Sequence, residues 1–121
     1  MSSHILTGRV YDELLPADGY RVLVDRLWPR GIRKDDPRVH DWKPSAAPSA
    51  ELRRWYDHRP ERFAEFCNRY EQELSTVQES IAAVDELRKL AKAGILTLTT
   101  ATREIGISHV PTLAKVVARN G

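Results

Sequence analysis

The chain has 121 residues, a formal net charge of +2 and a single cysteine, so we expect one domain with a modest core and exclude an internal disulfide. Its shares of hydrophobic (41%) and charged (30%) residues are ordinary for a globular protein, and no apolar run is long enough to span a membrane. The N-terminus, Met1-Ser2-Ser3-His4, lacks the basic and apolar regions of a signal peptide, which predicts a cytoplasmic protein.

Charge is unevenly distributed along the chain. Residues 21–43 contain seven Arg or Lys against four Asp, whereas residues 60–90 contain four against seven Asp or Glu. The 14 arginines outnumber the 5 lysines, and arginine suits the planar, bidentate recognition of carboxylate or phosphate. The pattern indicates either two solvated faces or a basic loop that meets an anion, and the small net charge is weak support for nucleic-acid binding.

The N-terminal third is predicted to contain two strands and a long loop. Residues 5–11 and 20–25 are short apolar runs separated by a turn-rich segment. Residues 26–48 are rich in charge and proline without a clean period, which is typical of a functional loop. Trp28 and Trp42 argue against disorder there, because large aromatic side chains pin a loop to the core.

Helical patterns follow this loop. Ser49 is a suitable N-cap for a short helix that runs through Tyr56, and Pro60 suits the first position of a second helix. The predicted core face of the second helix, which includes the cysteine, consists of Phe63, Phe66, Cys67, Tyr70 and Leu74.

A third helix is predicted to begin at one of two capping-box patterns. These are Thr76 with Glu79 and Ser75 with Gln78, and Gly94 is predicted to end the helix. Its buried stripe consists of Ile81, Val84, Leu87, Leu90 and Ala91.

A third strand and a last helix complete the chain. Residues 95–100 are rich in β-branched side chains, which favours a strand. Ser108 is predicted to cap the last helix, with Pro111 in its first turn. The inward-facing residues of that helix are Leu113, Val116 and Val117.

The order of elements predicts an α/β fold, with a small, mostly parallel sheet flanked by about four helices in a single domain over residues 1–121. A long helical crossover joins the second and third strands, so a shared sheet makes them a parallel pair. Parallel pairing brings Asp25 and Arg103 to one edge, where ligands bind in such sheets. The first strand has a short connection, so it either runs antiparallel or lies beyond another strand.

The segment DRLWPRG at residues 25–31 concentrates chemistry at the predicted end of the second strand. It carries a carboxylate, two arginines and a tryptophan. Its proline restricts the backbone and its glycine lets the backbone turn. The segment therefore predicts a binding site at this end of the sheet.

Several spaced motifs resemble one protein family. They are VLVDRLWPRG at 22–31, Trp42, APS at 47–49, ELRRWYDH at 51–58, Pro60, Phe66, RY at 69–70 and EL at 73–74. Together they are similar to the short, single-domain branch of the bacterial DUF488 family, and the resemblance spans nearly the whole chain. It implies an α/β fold with a pocket at the strand ends and no established reaction.

The C-terminal motif, LTTATRE followed by ISHV, departs from the pattern of that family. Arg103 and His109 match the family. Glu104 stands in place of an Asp, Ile107 stands where a His is common, and Ser108 replaces an Asn.

Asp25 and His109 are the candidate catalytic residues. Asp25 is interpreted as a general base or ligand anchor, with a structural cap or an arginine partner as the alternative. His109 is expected in the first turn of the last helix, where the helix dipole disfavours the imidazolium and leaves a neutral acid or base.

The candidate ligand-binding residues are Trp28, Arg30, Arg103, His58, Arg26 and Ser108. The three arginines form an anion clamp or, alternatively, pair with nearby carboxylates. The tryptophan stacks on a planar ligand or packs beneath the loop. The histidine between two helices belongs to the site or caps a helix end. The serine belongs to a helix N-terminus, whose free N–H groups favour an anion.

The sequence contains no metal-ligand spacing and no glycine-rich nucleotide motif, so we expect no metal site and leave the cofactor unknown. We predict a binder of an anionic phosphorylated small molecule or nucleotide. If the protein is an enzyme, hydrolysis or group transfer with Asp25 or His109 moving the proton is expected. Two alternatives stay open: a nucleic-acid-binding module using residues 26–43, and a non-catalytic interaction domain. We expect no membrane partner, and a monomer or small homo-oligomer.

Overall fold

The computed structural model describes residues 5–119, so the N-terminal residues 1–4, read above for a signal peptide, lie outside the described part. The strands are β1 (Ile5–Arg9), β2 (Tyr20–Leu23), β3 (Asp41–Trp42) and β4 (Leu96–Thr100). The helices are α1 (Ala50–Tyr56), α2 (Phe63–Thr76), α3 (Gln78–Ala93) and α4 (Val110–Ala118). The predicted α/β fold with a small sheet and four helices is confirmed.

The sheet has the strand order β1-β4-β2-β3, and every pair is parallel. Strands β2 and β4 are neighbours, with Val22 opposite Leu98, which confirms the predicted parallel pair. Strand β1 lies beyond β4 and runs parallel to it. Of the two alternatives for the first strand, its position beyond another strand is therefore the one that occurs.

The long loop contributes a strand that the sequence pattern did not predict. Strand β3 pairs with the end of β2, placing Trp42 opposite Leu23. Main-chain hydrogen bonds flank this short pairing, from the N–H of His40 to the Arg21 carbonyl and from the N–H of Lys43 to the Leu23 carbonyl. Two residues are too few for an alternating pattern, so periodicity gave no signal.

The predicted N-cap of α1 is present, whereas the predicted capping box of α3 is absent. Ser49 caps α1, because its hydroxyl accepts a hydrogen bond from the N–H of Leu52 at 3.1 Å. The capping box predicted between α2 and α3 is wrong, since Val77 is the residue at the start of α3 and makes no side-chain cap. Helix α2 extends to Thr76, and the hydroxyls of Ser75 and Thr76 donate back to the Gln72 carbonyl.

Hydrophobic cores lie on both faces of the sheet. The larger core packs the four helices against β2 and β4, and includes Val22, Phe66 and Leu98. The smaller core is formed by Val10, Leu23 and Ile32 on the other face, where the long loop covers the sheet. Among the predicted core side chains, Phe66, Tyr70 and Leu87 are buried, whereas Phe63, Leu90 and Cys67 are partly buried at the edge of the larger core.

Arg21 is a buried charge that the connection between β1 and β2 surrounds. Its guanidinium is 2% exposed, pairs with Asp18 at 3.1 Å, and donates to the main-chain carbonyls of Arg9, Val10 and Glu13. A buried charge is tolerated when it is paired and hydrogen-bonded in this way. The interaction ties the segment that follows β1 to the face of the sheet.

No helix in residues 5–119 combines the length and the apolar character that crossing a membrane requires.

Replacing Phe66 with Ala should lower the free energy of unfolding by about 3–5 kcal/mol. The Phe66 ring is 2% exposed and stacks on Tyr56 with 4.2 Å between ring centroids, so its removal leaves a cavity in the core. Urea unfolding followed by circular dichroism measures the change. Gln72→Ala, on an exposed position of the same helix, should change stability by less than about 0.5 kcal/mol. Equal effects of the two variants would contradict this packing.

Candidate functional site

A cavity of about 660 Å³ opens at the carboxyl ends of β2 and β4. Residues following both strands meet there with α1, the start of α2 and the segment before α4. Seven of the eight predicted site residues are among its lining residues: Asp25, Arg26, Trp28, His58, Arg103, Ser108 and His109. The expectation that Asp25 and Arg103 share one edge of the sheet is therefore met in the geometry.

Asp25 connects the ends of the two central strands. One carboxylate oxygen accepts a hydrogen bond from the Thr100 hydroxyl at 2.7 Å, and the other accepts from the Ala101 N–H at 2.8 Å. Its main-chain carbonyl accepts from the Trp42 indole at 2.7 Å. The side chain is 18% exposed. These contacts give Asp25 a structural role at the edge of the cavity.

His109 is buried beside Asp25 at the start of α4. Its Nε2 lies 2.9 Å from the Val24 carbonyl and 3.5 Å from an Asp25 carboxylate oxygen. A carbonyl only accepts, so Nε2 carries the proton and donates to it. Burial lowers the pKa of His109 from its usual 6.5, although the Asp25 charge and the bond to Val24 oppose this and the Arg53 charge adds to it. The imidazole is thus held neutral at physiological pH.

Arg26 lines the cavity but is used to fasten the loop. Its Nε donates to the Pro48 carbonyl and its Nη2 to the Ala47 carbonyl, both at 3.1 Å. The alternative prediction, that Arg26 pairs with a carboxylate, is not met, because both of its hydrogen bonds go to main-chain carbonyls. Instead, the guanidinium joins the segment after β2 to the segment before α1.

The prediction of an anion clamp formed by Arg26, Arg30 and Arg103 is wrong for Arg30, which does not line the cavity. The chain turns at Gly31, where φ is +81°, a backbone conformation that glycine adopts readily. The Tyr11 hydroxyl donates to the Arg30 carbonyl at 2.8 Å. The Arg30 side chain is exposed, since the loop has already turned away from the cavity at this position.

Trp28 is fixed by contacts within the loop. Its indole N–H donates to the Ile32 carbonyl at 2.7 Å, and its ring meets that of Trp42 edge-on with 5.5 Å between centroids. The Lys34 ammonium lies 4.8 Å from the Trp28 centroid. Trp28 is partly buried, so it packs beneath the loop and also contributes to the cavity wall.

His58 reaches the cavity through a tight turn after α1. Both Asp57 and His58 have positive φ, at 48° and 53°, which is uncommon for residues with a side chain. The His58 ring lies 6.3 Å from that of Tyr56, measured between centroids. The turn therefore places an exposed imidazole next to the aromatic part of the lining.

Ser108 completes the turn that opens α4. Its hydroxyl donates to the Ile105 carbonyl at 2.6 Å and accepts from the Val110 N–H at 3.2 Å. Helix α4 begins at Val110, with His109 as the preceding residue. The prediction that Ser108 is the N-cap of α4 is wrong, because His109 holds that position and makes no side-chain cap. The Ser108 hydroxyl nevertheless occupies the N–H of Val110.

Two charged lining residues were not selected from the sequence. Arg53 comes from α1, and Glu104 follows Arg103. The signal for Arg53 was its place in the ELRRWYDH motif, three residues before Tyr56 on the same helical face. Glu104 replaces an Asp within the C-terminal motif and was otherwise expected only as an ion-pair partner of the arginines. With these additions, three arginines and two carboxylates surround the cavity.

The remaining lining is largely apolar and aromatic. It consists of Leu27, Pro29, Ala47, Pro48, Tyr56, Pro60, Phe66, Ala101, Thr102 and Ile107. Tyr56 joins α1 to the segment before α4, because its hydroxyl donates to the Ile107 carbonyl at 2.7 Å. Within residues 5–119, no group of three or more His, Cys, Asp or Glu side chains is arranged to hold a metal ion.

The small parallel sheet, the helices packed on it and the cavity at the carboxyl ends of its strands define a small α/β domain. The sequence comparison identifies the family within that class. The chain belongs to the DUF488 family and matches its "Inactive DUF488-N3 subclade" over residues 4–120.

Similar proteins are found in mycobacteria and in Escherichia coli. The uncharacterized protein Rv3073c of Mycobacterium tuberculosis and the uncharacterized protein Mb3100c of Mycobacterium bovis are each 50% identical over 115 residues, covering 95% of this chain and 94% of theirs. The uncharacterized protein YeaO of Escherichia coli K12 is 38% identical over 111 residues, covering 92% of this chain and 94% of its own. No solved structure matches the chain with significance.

Asp25→Ala should lower the free energy of unfolding by about 2–3 kcal/mol, because it removes two hydrogen bonds to a charged acceptor and leaves the Ala101 N–H without one. Chemical denaturation measures the loss. Asp35→Ala is the control, since Asp35 is 77% exposed in its pair with Arg33 and should change stability by less than about 0.5 kcal/mol. An Asp25 variant as stable as the control would show that the carboxylate does not join the strands.

His109 should make stability fall as the solution becomes acidic. Its pKa is lower in the folded state than the 6.5 of the unfolded chain, so the unfolded state binds the proton more readily and gains from acidification. The contribution is complete above about pH 6.5 and is lost as the pH falls toward the folded-state pKa. Urea unfolding of the wild type and of His109→Gln between pH 7.5 and 5 measures the contribution of His109 to the free energy of unfolding. This free energy should depend less on pH in the variant than in the wild type. Identical slopes would contradict burial of a neutral imidazole.

Proposed function

We propose that this protein binds an anionic phosphorylated small molecule, such as a nucleotide, in the cavity at the carboxyl ends of β2 and β4. The observation that carries the proposal is a pair of arginines, Arg53 and Arg103, at the same cavity. Neither guanidinium forms an ion pair within residues 5–119, unlike most cations of the neighbouring loop. Free guanidinium groups are suited to bidentate contacts with phosphate oxygens.

The size and composition of the cavity support a small-molecule ligand. Its volume of about 660 Å³ lies within the range of about 300–1,000 Å³ that is common for ligand sites. The combination of aromatic walls and a few charged groups is typical of a site for an organic anion. An inorganic ion alone would leave the apolar part of the cavity unfilled.

The start of α4 supports anion binding less than its sequence suggested. The N–H of Val110 is already bonded to the Ser108 hydroxyl, and Pro111 has no N–H to donate. The helix dipole still favours negative charge at this end. The direct contacts are therefore assigned to the arginines rather than to the helix backbone.

Binding is favoured over catalysis by the engagement of the two candidate catalytic residues. Both carboxylate oxygens of Asp25 accept bonds from β4 and the residue after it, and the Nε2–H of His109 donates to the Val24 carbonyl. The Asp25 carboxylate is therefore less available to take a proton from a ligand, and the buried His109 has only its other ring nitrogen, Nδ1, left for acid–base chemistry. The description of the matching subclade as inactive agrees with a protein that binds without turnover.

The nucleic-acid alternative is disfavoured because the cations of residues 26–43 are mostly occupied within the protein. Arg33 pairs with Asp35, Arg38 with Asp36, Lys43 with Asp41 and Glu86, Lys34 lies over Trp28 and Trp42, and Arg26 bonds two carbonyls. The side-chain and main-chain hydrogen bonds from Arg38 and the charges of Arg38 and Arg21 lower the pKa of Asp36 to about 2. Of the basic side chains in this loop, only that of Arg30 lacks a partner within the described residues.

Millimolar phosphate and a nucleoside monophosphate should each raise the melting temperature of the wild type, because a ligand that binds the native state stabilises it by mass action. Arg53→Ala and Arg103→Ala should lose most of this shift, corresponding to binding weakened about tenfold or more. Differential scanning fluorimetry across a ligand titration measures the effect.

Arg30→Ala is the matched control, because it removes the same charge from an exposed position outside the cavity. It should respond like the wild type. If neither phosphate nor the nucleotide stabilises the wild type, the anion site is refuted. If Arg30→Ala loses as much as the other two variants, the effect comes from net charge and not from this cavity.

A further inference from the structure

We infer that Glu104 selects the ligand of this site, and that the ligand is a ribonucleoside monophosphate whose ribose hydroxyls donate to the Glu104 carboxylate. The inference rests on the proposed function, since it assigns the part of the ligand that the arginines do not recognise. Glu104 lies in the same cavity as Arg53 and Arg103. Its carboxylate forms no ion pair and no hydrogen bond with the other residues that the structure describes.

Glu104 is an exposed residue whose carboxylate stands beside the cations proposed to bind the anion. Glu104 and Arg103 are adjacent in the chain, yet the two side chains are not paired with each other. Glu104 lines the cavity together with Tyr56. Burial raises the pKa of the Tyr56 hydroxyl, and the charges of Cys67 and Glu104 raise it further. The negative charge is therefore close to the lining and repels a phosphate in its immediate vicinity.

The chemistry of the carboxylate defines what fits next to it. An ionised Glu accepts hydrogen bonds and donates none, so the ligand must present donors at this position while its phosphate lies at the arginines. Two neighbouring hydroxyl groups match the two oxygens of one carboxylate. A ribose with free 2′ and 3′ hydroxyls meets this requirement, and a deoxygenated sugar does not.

The apolar lining favours a nucleoside over a simple sugar phosphate. Trp28, Tyr56 and Phe66 contribute aromatic surface to the same cavity, and Ile107 and Pro60 contribute aliphatic surface. A planar base buries apolar area against such walls. The cavity is lined by arginines, a carboxylate and aromatic side chains, which we assign to the phosphate, the ribose and the base.

The test compares three kinds of ligand on three proteins. The ligands are inorganic phosphate, the 5′-monophosphates of adenosine, guanosine, cytidine and uridine, and the 2′,3′-dideoxy form of whichever nucleotide binds best. The proteins are the wild type, Glu104→Ala and Glu79→Gln. Glu79 lies in the first turn of α3 and outside the cavity, so its variant controls for the loss of one negative charge. Isothermal titration gives each dissociation constant.

The wild type should bind the ribonucleotide at least about tenfold more tightly than the dideoxy form, as expected for hydrogen bonds to a charged group. In Glu104→Ala this ratio should fall close to one, while phosphate binds equally well or more tightly because a repulsive charge is gone. Glu79→Gln should keep the wild-type ratio.

The failures of the two proposals are distinguishable. If phosphate binds and the ribonucleotide has no advantage over the dideoxy form, or if Glu104→Ala keeps that advantage, the role of Glu104 is wrong and the anion site stands. If phosphate and every nucleotide fail to bind the wild type, the proposed function itself is wrong.

Discussion

The bridge made by the Asp25 carboxylate is the interaction on which the rest of this structure depends. It joins Asp25, which follows β2, to Thr100 at the end of β4, 75 residues away in the chain, through the Thr100 hydroxyl, and it also accepts from the Ala101 N–H. The adjacent Val24 carbonyl accepts a hydrogen bond from the His109 imidazole, which attaches the start of α4 to the same point. Because these bonds satisfy buried polar groups where two strands end, they keep the edge of the sheet open as a cavity without leaving its backbone unpaired.

This bridge also determines which residues are left for a ligand. The two side chains with the most obvious catalytic chemistry, Asp25 and His109, are held in structural hydrogen bonds. The arginines contributed by α1 and by the segment after β4 have no such partners among the described residues. The proposed function, binding of an anion without turnover, rests on this contrast between unpaired cations and engaged acid–base groups.

The cations of the long loop, which form a basic segment in the sequence, mostly have partners in the folded protein. In sequence, residues 21–43 form a basic segment. In the structure, the loop gains a strand, packs two tryptophans over the smaller core, and pairs most of its cations with carboxylates, carbonyls or aromatic rings. The ion pairs range from exposed to partly buried, so each contributes little stability and they mainly occupy the cations of the loop.

The sequence by itself determined the helices and strands with strong periods, the parallel pairing of β2 and β4, and the meeting of Asp25 with Arg103. Those features follow from local rules, because burial periodicity and a long crossover restrict the choices of topology. It did not determine that Arg53 lines the cavity and that Arg30 lies outside it. That choice depends on the turn at Gly31 and on how α1 packs against α2, and side-chain direction at such points is set by tertiary contacts rather than by neighbours in the chain.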